Sequence, residues 1–405
     1  MNSRTVGRVS EQLGDRFFAN PHAYYRHWRE EGPVRQVHFG DGVPRWLVLG
    51  YDECRAALAD PRLGKDIDAL ETVIERKYGR TSDLPRTHDG LRHMLNADPP
   101  THTRLRKAVS QAFTARRVAA LQPVIDASAD QLLDAMAGHD EVDLLQSFAV
   151  PLPVTVICHL LDVDIEDRGT FREWTKALVG TLEPGVDRVQ VFDEMVAFLR
   201  KMLQCKRVRP GEDLLSALVC DADAGLDEGE LIGMALLLLV AGHETTVNLI
   251  GNGTLTLLRD RSRMQRLCAE PALIPAAVEE FLRYDGPVNM ASIRFTKEPI
   301  TLGDTTIPEG ELVLVALAAG NRDPRQFADA YDFDPTGDRA THLGFGYGIH
   351  YCVGAPLARL EGRIAFTALL QHFPDLELAV DDSWLRWYSN PVIHGLKKLP
   401  VRLRK

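Results

Sequence analysis

The segment Leu226 to Leu258 constrains the fold more than any other part of the chain. Apolar residues recur there at helical spacing. A helix of that length would reach roughly 45 to 50 Å, the width of a whole domain. Its centre, Leu231 to Ala241, is apolar on nearly every side and is broken only by Gly233. Such a run is too short to span a bilayer, so it reads as a helix driven through a core.

The rest of the pattern agrees. Apolar residues three or four apart predict helices over Asp52–Ala59, Thr101–Phe113, Val118–Met136, Pro153–Leu161, Thr170–Val179 and Val189–Leu203. Strands are expected at Val34–His38 and Trp46–Leu49, joined by the turn-forming G-D-G-V-P, and again at Ile300–Leu302, Leu312–Ala316 and the C-terminal tail. Gly64 to Leu95 lacks a clear period beyond its first turns and reads as a long functional loop. The expectation is a mainly α fold with small β-sheets. It forms one domain over residues 1–405, with a small β-rich part at about 30–60 and a helical body at about 98–405.

About 45% of residues are apolar and the formal net charge is −10. That acidic balance argues against a nucleic-acid partner. The start of the chain carries charge but no apolar leader. Six cysteines are scattered without metal-type or disulfide spacing. A reduced, cytoplasmic protein, not bound to membrane, is the simplest reading.

One cysteine stands apart. Cys352 lies in F-G-Y-G-I-H-Y-C-V-G and is followed by V-G-A-P-L-A-R-L-E-G-R-I-A-F, which reads as a helix with Pro356 in its first turn. Free N–H groups and the dipole at a helix N-terminus favour a thiolate. Gly346, Gly348 and Gly354 clear side chains from around the sulfur, and Phe345 supplies an aromatic wall.

The pattern F-x-x-G-x-x-x-C-x-G, matched by Phe345, Gly348, Cys352 and Gly354, resembles the haem-binding signature of the cytochrome P-450 family. A-G-H-E-T-T (Ala241–Thr246) and E-x-x-R (Glu280, Arg283) lie upstream in the order that family shows. The resemblance covers essentially the whole chain. It implies a cytochrome P-450 fold, with haem b between the long helix and the cysteine helix, and Cys352 as its axial thiolate. A thiolate pushes electron density onto iron.

Within A-G-H-E-T-T, Gly242 is a poor helix former and Thr245 can bond back to the carbonyl of Ala241. The resemblance makes this the oxygen-binding notch. Glu244 and Thr245 are then the proton-delivering acid and alcohol, and Ala241 touches the cofactor. His243-Glu244 begins like the zinc-protease H-E-x-x-H, but the fifth position is Val247, so no second ligand exists.

Two haem propionates need cationic or donor partners. By resemblance these are His102 and Arg106, four apart on one helix face, with Arg294 and His350. Glu280 and Arg283 are expected to form a buried structural pair, with Arg339 as its third member.

No nucleotide-binding fingerprint is present, so NAD(P)H acts only indirectly. Resemblance to bacterial members implies a ferredoxin and its reductase, docking on a local basic face of Arg104, Lys107, Arg116, Arg117, Arg359 and Arg363. A monomer is expected. The substrate should be bulky and largely apolar, with Leu237, Ala241, Val288, Met290, Ile293 and Ile393 among its contacts. The chain resembles actinomycete enzymes that hydroxylate or epoxidise macrolides and related polyketides with O2. Steroid or vitamin D-like hydroxylation and oxidative coupling are the alternatives.

Overall fold

The central helix runs over Glu228–Leu258 and is capped by Asp227, whose side chain accepts from Glu230 N at 2.8 Å. Glu230 returns the bond to Asp227 N at 3.1 Å, which completes a capping box. Arg92 and Arg104 then grip these two acids from outside the helix. The structure, a computed structural model, describes residues 11–79, 88–163, 169–170, 174, 187–337 and 341–404.

By composition the central helix is long and apolar enough to cross a membrane, but 67% of its apolar window is buried inside the protein. It packs against the helices Pro151–Leu161, Arg188–Val208, Ile274–Tyr284 and Ala355–His372. Close approach explains its glycines. A Cβ at Gly251 would stand 2.8 Å from Leu145 Cδ2, and one at Gly253 would strike the Phe366 ring. The largest apolar core gathers around this helix.

Smaller cores lie on the faces of a six-stranded sheet. Its strands run Glu11–Leu13, Val34–Phe39, Pro44–Val48, Leu312–Val315, Arg294–Thr296 and Leu63–Gly64 in spatial order. The register Gly64↔Phe295 brings the segment after Gly64 beside Arg294. Both hairpin strands expected near the N-terminus are present, and Pro400–Arg402 forms the C-terminal strand. The mainly α fold with small sheets is thus observed.

Two expectations change. The helix expected over Val118–Met136 is two, Ala115–Ala120 and Gln122–Met136, with Pro123 in the first turn of the second. A proline has no amide hydrogen to continue the first helix. Gly64 to Leu95 is not all loop. Ile67–Tyr78 is a helix, capped by Asp66 and closed by Gly79 in the left-handed region, and its Leu70 packs with Phe295. Most of Thr170–Val179 lies outside the described residues.

Glu280 and Arg283 are fully buried and joined by two bonds of 2.7 Å. Arg283 also donates to the carbonyls of Asn321, Ala330 and Asp332, and Glu280 accepts from Asp334 N. The pair therefore pins the long segment that leads into the cysteine loop. Arg339, its expected third member, lies outside the described residues.

Candidate active site

The cysteine loop is folded by its backbone. Cys352 N donates to Phe345 O at 3.0 Å, closing the loop on itself. Gly348 has φ +75°, and a Cβ there would stand 2.9 Å from Leu58 O, so only glycine fits. The helix Ala355–His372 follows, with Gly354 at its N-cap and Pro356 in the first turn. Arg359 on that helix lies 4.5 Å over the Phe345 ring and grips Glu279 at 2.7 and 2.9 Å. Glu279 also meets His342 Nε2 at 3.0 Å, while Gly344 N donates to His342 Nδ1. One carboxylate thus ties the loop to its helix.

The helix N-terminus does not by itself make Cys352 a thiolate. Burial raises its pKa above the usual thiol value and outweighs the opposing pull of the Gly354 amide, Arg106, the Ala355 amide and Arg359. A coordinated metal ion would supply the missing stabilisation, since a coordinating thiol is deprotonated outright.

A cationic cluster lines the same cavity as Cys352. It contains His102, Arg106, Arg294 and His350, as expected, and also Lys65 and His93, which the sequence reading missed. The His102 and His350 rings lie 4.3 Å apart. Burial first, and then the positive neighbours, push His350 down to about 2 and His93 to about 4, and lower His102. Burial likewise lowers Arg294 to about 10 and holds Lys65 well below its ordinary range. The groups carry each other's repulsion, and the Asp98 carboxylate that opposes it acts from beyond ion-pair distance.

On the central helix, Thr245 Oγ1 donates to Ala241 O at 3.1 Å. This back-bond diverts the carbonyl next to Gly242. A Cβ at Gly242 would stand 2.7 Å from Ile157 Cδ1, so the glycine also admits the neighbouring helix. Glu244 beside them is raised to about 7, by burial against the opposing hydrogen bond of Asn248. A carboxyl poised there can hold and release a proton near neutral pH. His243 is turned inward, with Nδ1 on Leu239 O at 2.7 Å, and no group of three His, Cys, Asp or Glu able to hold a metal ion occurs among the described residues.

The cavity has a volume of about 1040 Å³ and includes Cys352, the cationic cluster, Ala241, Glu244 and Thr245. Of the expected substrate contacts, Leu237, Ala241, Val288 and Ile393 line it. Met290 and Ile293 do not. Met290 is fully buried among Val37, Leu47 and Leu314, and Ile293 packs beside that cluster. The segment before the strand Arg294–Thr296 is irregular, and it turns Met290 and Ile293 to the sheet core while Ala291, Ser292 and Arg294 face the cavity. Phe192, Met94 and Glu361 line it without having been foreseen. Glu361 is buried with its Oε2 unpartnered, and burial lifts it to about 8.

These residues fit a haem. His102 Nε2 and His93 Nδ1 are buried without partners beside unpaired cations, as two propionates would require. Cys352 could supply a sulfur ligand, and Phe345, Gly344, Gly346 and Gly354 line the cavity beside it. His102, Arg106, Arg294 and His350 could hold the carboxylates.

Comparison with known proteins agrees. The family model "Cytochrome P450" (cytochrome P-450) matches residues 170–383. The cytochrome P-450 monooxygenase PikC of Streptomyces venezuelae is 48% identical over 399 residues, 97% of this chain and 93% of that protein. The polyketide biosynthesis cytochrome P-450 PksS of Bacillus subtilis is 41% identical over 399 residues, 97% of this chain and 98% of that protein. A solved structure of the tirandamycin C-bound monooxygenase TamI superposes with a TM-score of 0.90 at 43% identity, covering 97% of this chain and 100% of that one. A buried cysteine loop, an acid–alcohol pair on a notched central helix and likeness over the whole length place this chain in the cytochrome P-450 family of haem-thiolate monooxygenases.

Proposed function

We propose that this enzyme hydroxylates or epoxidises a bulky, largely apolar natural product, of macrolide or polyketide type, late in a biosynthetic sequence. One observation carries the reading: Cys352, the cationic cluster, the Glu244–Thr245 pair and a mostly apolar wall all line one cavity. The name of PksS and the ligand named for TamI support the substrate class.

Haem, when bound, supplies oxygen activation, and a thiolate ligand donates electron density to it. The chain supplies the rest. Cys352 would hold the iron. His102, Arg106, Arg294 and His350 would seat the carboxylates. Glu244 holds a proton at its carboxyl and Thr245 orients the hydroxyl that receives it, so protons reach the cavity without bulk water. Leu237, Ala241, Val288 and Ile393 exclude water and bury the apolar body of the substrate.

Electrons come from a ferredoxin and its reductase, to a monomeric, single-domain, cytoplasmic enzyme. Lys107, Arg116, Arg117 and Arg363 form the docking face. Arg104 and Arg359 contribute less than the sequence suggests, because Glu230 and Glu279 already engage them. Charge steering there should weaken with added salt.

The first test is the reduced, carbon monoxide-treated spectrum. A Soret band shifted strongly to the red marks thiolate ligation, and its absence in Cys352→Ser assigns the ligand. A binding panel of macrolactones, linear polyketides and sterols then addresses the substrate. Spin-state shifts with sterols alone would sink the polyketide reading. Product lacking label after turnover under labelled O2 would replace oxygen insertion with oxidative coupling.

A further inference from the structure

Lys65 follows the strand Leu63–Gly64, directly across from Arg294 in the sheet. Its side chain is only 3% exposed. Its Nζ donates to Ser292 Oγ, and its backbone N donates to Asp98 Oδ1 at 3.1 Å. The other Asp98 oxygen lies 3.5 Å from Lys297. Among the described residues, no carboxylate lies within ion-pair distance of Lys65, Arg106 or Arg294. Yet all three cations line the cavity, together with His93 and His102, each with a buried ring nitrogen that has no partner.

An ammonium carries three donors, and one serine oxygen satisfies only one of them. Asp98 pulls back on Lys65 and Arg294, but from beyond ion-pair distance; a buried cation without a contacting counter-charge is costly, so this cluster works against folding until an anion arrives. Lys65 lies at its centre: its charge bears on His93 and His102, while Arg294 repels it and Asp98 attracts it. The two carboxylates of a haem are the anions this cavity is expected to take.

We propose that Lys65, assisted by His93, is a further carboxylate seat for the haem, and that its charge, which no carboxylate contacts, couples completion of the fold to haem capture. The inference rests on the haem reading. It adds a second cation from the sheet, beside Arg294, to the seats supplied by the helix Thr101–Ala112 and by the cysteine loop.

Lys65→Met, Lys65→Arg and His93→Phe are compared with the unmodified enzyme. Two quantities are measured: the rate of haem transfer to excess apomyoglobin, and the thermal midpoint of each protein prepared without haem. Lys65→Met should lose haem roughly tenfold faster or more, as expected for one charge-assisted hydrogen bond. Lys65→Arg should stay near the unmodified rate, and His93→Phe should lose haem about threefold faster. The haem-free Lys65→Met protein should unfold at the same or a higher temperature than the haem-free parent, because an unpaired charge has been removed. A merely structural lysine predicts the opposite sign. Loss of haem at the parent rate, or a haem-free variant destabilised as much as the haem-bound one, would overturn the proposal. Should Lys65→Met not accumulate, Lys65→Gln provides the same comparison. A parent protein that takes up no haem would overturn the haem reading itself, whatever the variants do.

Discussion

Asn248 holds Glu244 twice, one turn away on the central helix. Its amide donates to Glu244 O at 2.8 Å and to Glu244 Oε1 at 3.3 Å. Burial raises the Glu244 carboxyl to about 7, and this hydrogen bond is the force opposing it. Asn248→Leu removes only the opposing force, so the carboxyl should bind its proton more tightly. Its titration midpoint, followed by the infrared carboxyl band with Glu244→Gln as the blank, should move to higher pH. An unchanged midpoint would show that Asn248 does not set this acidity.

Gly395 extends the same relationship to the C-terminal tail. A Cβ at Gly395 would collide with the Asn248 side-chain amide. Ile393, two residues away, lines the cavity and bridges to Val288. Gly395→Ala should therefore disturb Glu244 without touching it, shifting the same infrared titration in the direction of Asn248→Leu. A shift confined to overall stability would argue against this coupling.

Glu361 should make stability pH-dependent. Its folded pKa of about 8 lies above the ordinary 4.5 because the carboxyl is buried. A raised folded value means that the stabilising contribution is complete below the unfolded pKa and is lost as pH rises through the folded one. Glu361→Gln should thus gain on the parent between about pH 5 and pH 9, by on the order of a few kcal/mol. The check is the difference in thermal midpoint against pH. Parallel curves would refute it.

The Glu280–Arg283 pair should be a folding determinant. Arg283→Leu leaves a buried carboxylate and three carbonyls without their donor. The expected loss is about 3 to 5 kcal/mol. Denaturant unfolding measures it, and haem content should fall with it because the released segment leads to Cys352.

Gly90 and Phe192 should set the depth of the cavity. A Cβ at Gly90 would press into the Phe192 ring and stand 3.0 Å from Leu236 Cδ2. Gly90→Ala should cost about 1 to 3 kcal/mol by overpacking. Phe192→Ala should instead admit larger ligands, seen as tighter spin-state titrations for the bulkiest members of the panel. Equal affinities in both variants would exclude this wall from specificity.

Much of this was legible in the chain. The central helix announced itself because apolar residues recur at its period on nearly every face. Cys352 with its glycines, Thr245 one turn after Ala241, and the Glu280/Arg283 spacing are local patterns, fixed by backbone geometry over a few residues. Lys65 and His93 carried no such signal. They are two residues of ordinary type in a stretch without a period, and strand pairing with Arg294–Thr296 is what brings Lys65 to the cluster.

The chain by itself therefore determined the helical architecture, the glycine-rich cysteine loop and the acid–alcohol pair, because each depends on neighbours within one or two turns. Only the tertiary structure decided which side chains share the cavity. It turned Met290 and Ile293 into the sheet core and Val288 and Ala291 toward the active site. It also buried Glu361, Lys65 and Arg294 where their protons and charges must be answered by something other than water. Burial and long-range juxtaposition set those properties, and neither is written in local spacing.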